Sequence, residues 1–488
     1  MKTCATIACA AALLFAGGAA RAQQIDSLAI RGHTRFLADD LLAGRGTGTP
    51  GEHLAAAYIA SQLERLGLEG LGPDGGYLLP IPLRAALIED ATSLTLDRDG
   101  RNASFASVRD FVVNTGGAGA FRSFSGNLWL AGPPQAALAA LRAAGDVRGR
   151  VAVVTGALGA AATELVPALV EGGAAGIVVL VADSAQYDLF VRSRGDRRFF
   201  VAADVGDPVW QPDLPVLLAG PGLTRAILDG ASVPRALLEG TGGSPALDLR
   251  RTVAFELRAT TTGVTAANVG GVLRGSDPAR HDELVVYTAH YDHLGISVPD
   301  ARGDSVYNGF SDNAAGVGML LAIAEALRAA PPAASVAFLF FTGEERGLLG
   351  SSFAAAQPPF PLSQVKGLIN LDAGAPPAPP VSWRIAGGTD SPLGARAVEV
   401  ARRAGWSAEA AGASPNSDYW PFLARGVPAV FIIPGGEWEN VTAEQRDALR
   451  RRWDHYHKAS DHWAEDFPFA GLTRYADYAL RLGLELAR

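Results

Sequence analysis

Two rhythms of apolar and polar positions run along this chain. In residues 54–66 (LAAAYIASQLERL), Ala57, Ile59, Leu63 and Leu66 fall near helical spacing and Gly67 follows as a stop, which predicts a helix. The preceding stretch around Arg45 (GRGTGTPG) reads as a loop by composition. Between about 118 and 250 the texture changes to short apolar runs at 151–155, 176–181 and 214–218. An Ala-rich helix at 160–171, closed by Gly172-Gly173, separates the first two, so this stretch reads as a smaller inserted α/β module. From about Thr252 the order becomes strand, loop, helix, strand: strands at 283–288, 335–341, 365–371 and 427–433, helices at 316–330 and 472–487. Continuous apolar strands alternating with helices predict an α/β fold with a central mixed, largely parallel sheet covered on both faces. Ligands of such sheets sit at the carboxyl ends of the strands.

Length and composition fit this picture. The 488 residues correspond to about two to three domains at ~150 residues each. Apolar residues make up 48 % and charged residues 19 %, enough for a large core and against global disorder. The formal charge of −8 offers nothing to nucleic acid. Residues 1–22 (MKTCATIACAAALLFAGGAARA) place Lys2 before an apolar run that is too short for a bilayer, and Ala20-Arg21-Ala22 forms a small-residue cleavage site before Gln23. This predicts a cleaved signal peptide and an exported protein, periplasmic or secreted. Both cysteines, Cys4 and Cys9, fall within it, which leaves the processed chain without disulfides or thiol catalysis. Without Lys2 and Arg21, 40 basic residues face 50 acidic ones, a charge of −10. No later run is expected to be long and apolar enough to span a membrane. The boundaries read as 1–22 signal peptide, 23–117 and 251–488 as two parts of one catalytic domain, and 118–250 as the insertion.

The chemistry gathers at the predicted strand ends. His290-Tyr291-Asp292-His293 follows the strand at 283–288, with His290 and Asp292 on the same side of an extended chain. Gly309-Phe310-Ser311-Asp312-Asn313 leads into the helix at 316–330, where Asp312 suits either an N-cap or a carboxylate between two cations. Glu344 and Glu345 end an apolar strand, a costly pair unless a cation neutralises them. Asn370-Leu371-Asp372 ends another strand, and Tyr456-His457 with Asp461 lies near the C-terminus. Each motif alone also has an ordinary structural reading.

Their order, H-x-D, G-x-x-D-N-x-x-G, E-E, N-x-D and Y-H-x-x-x-D, resembles the di-zinc exopeptidase family of secreted bacterial aminopeptidases, with its glutamate carboxypeptidase-like and glutaminyl-cyclase-like relatives. The resemblance implies a zinc-peptidase fold with an inserted protease-associated domain at 118–250. It implies two zinc ions per chain, His290 and Asp372 on one, Glu345 and His457 on the other, and Asp312 bridging both. It further implies Asp292 as the carboxylate behind His290, Glu344 as general base to a metal-activated water, and Tyr456 as support for the oxyanion. Phe310-Ser311 departs from the Ala-Asp or Ala-Asn of many relatives, beside an intact ligand set.

The implied reaction is removal of N-terminal residues from peptides. A carboxypeptidase or other amidohydrolase on the same metals is the alternative, and a non-catalytic receptor-like relative is a third reading that the complete ligand set disfavours. Five of the eight tryptophans crowd the last stretch, and Trp438 and Trp453 are candidates to line a substrate pocket. The partner expected is a peptide substrate; preferred residue and oligomeric state are not given by the sequence.

Overall fold

The structure is a computed structural model that describes residues 24–488 except 115–119, 145–146, 157, 159–161, 182, 195–196, 203–213 and 240–245. The expected signal peptide lies outside the described residues. The chain divides into two compact units. Residues through Pro80, Ala266–Glu344 and Gln357–Arg488 form the first, Ile81–Thr265 and Glu345–Ala356 the second.

In the first unit four strands lie parallel and adjacent: Ser335–Phe341, Leu284–His290, Val365–Asn370 and Ala429–Pro434. Antiparallel neighbours flank them, residues 269–273 against the first and Ser382–Ala386 against the last. Ser407–Ala411 pairs in parallel beyond Ser382–Ala386. Every residue of Leu284–His290 and Ser335–Phe341 is buried, the outcome expected of strands covered on both faces. The helices Ser27–Leu37, Ala315–Ala329 and Ala470–Ala487 pack together, and they share the core with the sheet.

One expectation is corrected here. The segment Phe310–Ala329 is by length and composition apolar enough to cross a membrane, yet 94 % of that window is buried inside the protein. It is the central core helix, apolar over most of its surface because neighbours contact it on several sides. The irregular turn Phe310–Ala314 lengthens it beyond the helix read from periodicity.

The second unit contains an eight-stranded sheet. Its middle strands, Phe124–Gly132, Val151–Thr155, Gly176–Leu180 and Val216–Ala219, are parallel. Alternate residues feed two apolar clusters: Ala152, Val154, Ile177 and Val179 on one side, Val151, Val153, Val178 and Leu180 on the other. Ser93–Arg98, Arg101–Ala106 and Phe111–Val113 also belong to this sheet, pairing through Leu247–Glu256 and Val216–Ala219. The unit therefore reaches well outside 118–250, because edge strands separate in sequence are needed to complete its hydrogen-bond ladder.

Candidate metal centre

Parallel registry aligns the carboxyl ends of the central strands. His290 sits opposite Phe341, and Thr288 opposite Asn370, so the residues that follow each strand emerge at one edge. His290 ends its strand, Glu344 lies three residues past Phe341, and Asp372 two past Asn370. Asp312 enters from the turn at the head of the core helix, where Gly309 has φ +59° and the Asp312–Asn313 peptide is cis. A Cβ on Gly309 would lie 2.2 Å from the Asp312 carbonyl oxygen, so only glycine fits.

The donors form two groups that share Asp312. Ligand atoms of His290, Asp312 and Asp372 lie within 4.8 Å of one another, and so do those of His293, Asp312, Glu345 and His457. His290 Nε2 is 2.9 Å from Asp372 Oδ1 and 3.0 Å from Asp312 Oδ1. His457 Nε2 is 3.0 Å from Asp312 Oδ2. Imidazole nitrogens and carboxylate oxygens at such separations are a donor set that Zn²⁺ accepts. The electrostatics agree. Burial pushes the Asp312 carboxyl up, but His290 and His457, with His293 nearby, overcome this and hold it well below its usual range. Burial likewise works against a charged His290, yet Asp372 and Glu344 beside it raise it well above its usual value, and burial raises Asp372. The cluster thus draws positive charge onto His290, the charge that a cation would supply.

Supporting contacts hold these side chains. His290 Nδ1 bonds the Asp292 backbone carbonyl at 3.0 Å, which fixes the ring so that Nε2 faces the other donors. The Asp292 carboxylate was expected in that role, but its Oδ1 is 3.7 Å from Nδ1, beyond hydrogen-bond range. Its oxygens instead accept from the Glu344 N–H at 3.2 Å and from Thr47 Oγ1 at 2.9 Å. Asp292 therefore positions Glu344. Ser417 Oγ donates to Asp372 Oδ2 and accepts from Asn370 Nδ2 at 2.7 Å, while Thr288 Oγ1 donates to Asn370 Oδ1 at 2.7 Å. Asn313 Nδ2 bonds the Leu371 carbonyl at 3.0 Å and Asn313 Oδ1 receives Gly316 N–H at 2.9 Å. The buried Asp461 accepts from Ser311 Oγ at 2.8 Å and from the Ser311 and Asp312 N–H groups, so the Phe310-Ser311 departure supplies a further bond that holds the Asp312 turn.

A buried arginine ties the loops together. The Arg45 guanidinium donates to the carbonyls of Tyr291 (2.8 Å), Asn308 (2.6 Å), Gly309 (3.0 Å) and Leu37. Arg45 O in turn accepts His293 N–H at 3.1 Å.

Of the residues singled out from sequence, His290, Asp312, Glu345, Asp372 and His457 fall in the two donor groups. Tyr456 is exposed and its ring stacks on His457 at 3.8 Å. The two tryptophans have packing partners: Trp438 lies under the Arg450 guanidinium and bridges to Pro380, and Trp453 meets Phe467 edge-on at 5.2 Å. Sequence reasoning missed His293, Ser417, Thr47 and Arg45. The loop around Arg45 carried a signal, a Gly- and Thr-rich turn with a lone arginine, but its partners lie far along the chain.

Comparison with known proteins places this site. Residues 268–482 match peptidase family M28, so the expected likeness to di-zinc exopeptidases is met over the stretch that bears the donors. A protein named probable zinc metalloprotease from Pyricularia oryzae is 29 % identical over 206 residues, 41 % of this chain and 38 % of its own length. Aminopeptidase YwaD of Bacillus subtilis is 34 % identical over 107 residues, 22 % of this chain and 21 % of its own length. The chain thus matches well under half the length of these curated relatives. Among solved structures, an aminopeptidase from Aneurinibacillus sp. strain AM-1 superposes with a TM-score of 0.58 at 16 % identity, covering 96 % of this chain and 95 % of its own. A zinc aminopeptidase from Bacillus subtilis gives 0.52 at 19 % identity, covering 95 % of each chain. These likenesses extend the shared fold over nearly the whole length.

Proposed function

We propose that this chain, whose residues 268–482 match peptidase family M28, is an exported zinc-dependent aminopeptidase that removes N-terminal residues from peptides. The observation that carries the reading is the division of donors into two groups hinged on Asp312, with Glu344 anchored beside them by Asp292. His290 and Asp372 would hold one zinc, Glu345 and His457 the other, and Asp312 would bridge. When bound, the ions supply acidification of a water molecule and polarisation of the scissile carbonyl. Glu344 takes the proton of the attacking water and returns it to the leaving amine. Its backbone N–H is held by Asp292, which Thr47 holds in turn. Tyr456, whose ring stacks on His457, would donate a hydrogen bond to the developing oxyanion. Residues 118–250, within the second unit, are the protease-associated domain in this reading.

The test is hydrolysis of leucine p-nitroanilide by residues 23–488 before chelation, after it, and after zinc is restored. Activity lost with chelator and regained with zinc supports the reading. Glu344→Gln is expected to lower kcat about 10²–10⁴-fold while zinc content stays unchanged. Folded, zinc-loaded protein that is inert on this substrate but cleaves C-terminally acidic dipeptides or acylated amino acids would replace it with the carboxypeptidase or amidohydrolase reading. N-terminal sequencing of exported protein that begins elsewhere than Gln23 would overturn the processing site.

A further inference from the structure

We infer that His293 is a fourth protein ligand of the ion shared by Asp312, Glu345 and His457, making the two zinc sites unequal. The inference rests on the zinc reading above and goes beyond it, because that ligand set assigns His293 no part.

The two oxygens of Asp312 divide the imidazoles. Oδ1 faces His290 Nε2 at 3.0 Å, whereas Oδ2 faces His457 Nε2 at 3.0 Å and His293 Nδ1 at 3.7 Å. A separation of 3.7 Å is too long for a hydrogen bond. It is suitable for two donors on one ion, since Zn–N and Zn–O bonds of about 2.0–2.2 Å leave tetrahedral neighbours roughly 3.3–3.6 Å apart. The His293 and His457 rings are tilted 58° to one another with centroids 5.7 Å apart, converging rather than stacked.

His293 is also seated firmly. It is fully buried, and its N–H bonds Arg45 O at 3.1 Å. Its ring lies against Gly309, where an added Cβ would come within 2.6 Å of it.

The consequence is one site with four protein donors and one, at His290, Asp312 and Asp372, with three. A closed set is the mark of a structural ion and an open set that of a catalytic one. The His293 ion should therefore be the last to leave under chelation.

The experiment counts metal-bound imidazoles. The processed chain is loaded with cobalt(II) in place of zinc, its metal content is measured, and its paramagnetically shifted, solvent-exchangeable imidazole N–H resonances are recorded. Two ions per chain with three such resonances, falling to two in His293→Asn, support the inference. Slow chelator release of one zinc, accelerated at least about tenfold in that variant, supports it too. Two ions with two resonances in the wild type overturn it and leave the zinc peptidase reading intact. Failure to take up metal overturns both. The wild-type count stands even where His293→Asn fails to fold.

Discussion

Arg45 offers the sharpest test of how this site is held. Its side chain is almost fully buried and its guanidinium reaches four backbone carbonyls, three of them beside metal donors: Tyr291, Asn308 and Gly309. Hydrogen bonds to a charged group contribute about 1.5–3 kcal/mol each. Four would sum to about 6–12 kcal/mol, but bonds in one network are not additive, and water entering the space left by Arg45→Ala can satisfy part of the deficit. We therefore expect a loss of about 3–6 kcal/mol for Arg45→Ala, a large share of the 5–15 kcal/mol typical of a folded protein. Arg45→Lys keeps the charge without the planar fork, and should lose about half as much. Urea unfolding followed by tryptophan fluorescence measures this; six of the eight tryptophans lie in the unit that holds Arg45. The measurement is made in chelator and again in excess zinc. If Arg45 also sets the loop positions, Arg45→Lys weakens zinc by about 100-fold, and the extra stability conferred by zinc shrinks by about 2.7 kcal/mol. A loss below about 1 kcal/mol for Arg45→Ala would refute the accounting. An unchanged zinc increment in Arg45→Lys would refute the positioning role while leaving the packing role standing.

Other outcomes are as specific. Ser417→Ala, which removes the donor to Asp372 Oδ2, should weaken zinc about 10–100-fold by competition with a chromophoric chelator, with the fold retained by circular dichroism. Unaltered affinity would mean that the Thr288–Asn370–Ser417 chain is only structural. Gly309→Ala should cost at least about 1–2 kcal/mol from the left-handed backbone alone, and should reduce zinc content because the added Cβ meets the Asp312 carbonyl and the His293 ring. Zinc uptake should release protons. His290 in the metal-free protein lies well above its ordinary value and must lose its proton to ligate. The sign is set by that direction. The charged His290 stabilises the metal-free fold fully below about pH 6.5, and this contribution is lost as pH rises through the raised folded value. Proton release, read by calorimetry in buffers of different ionisation enthalpy, should therefore decline as pH rises. A count independent of pH would contradict it.

The parts of this site legible in the sequence are those where a motif and a strand end coincide. Leu284–His290 and Ser335–Phe341 announce themselves as unbroken apolar runs, and the polar residues that follow them stand out by contrast. The outer strands Ser382–Ala386 and Ser407–Ala411 did not, since short runs with Arg384 and Glu409 inside them carry little period-2 signal. Long-range partners were hidden for a different reason. Thr47 and Asp292 are 245 residues apart, Arg45 and Tyr291 are 246, and nothing local says that a loop threonine will meet a carboxylate there. Asp292 shows the limit of spacing arguments: H-x-D put the aspartate beside the histidine, but the backbone carbonyl took the ring nitrogen and freed the carboxylate for Glu344. Trp438 and Trp453 both have packing partners in the C-terminal region.

The same long-range contacts impose an order of events on biosynthesis. Thr47 and Arg45 emerge from the ribosome early, His290 and Asp312 midway, and His457 and Asp461 last, with Asp461 placed 150 residues after the Ser311 that it holds. At about 5–20 residues per second, the Asp312 turn waits about 8–30 s for the carboxylate that fixes it. No partial chain short of residue 461 can present both donor groups in their final positions. A zinc ion captured before then meets only a subset of its ligands, so full loading is an event of the finished polypeptide. C-terminal truncation, even by a few tens of residues, should abolish the metal centre as completely as deleting a ligand.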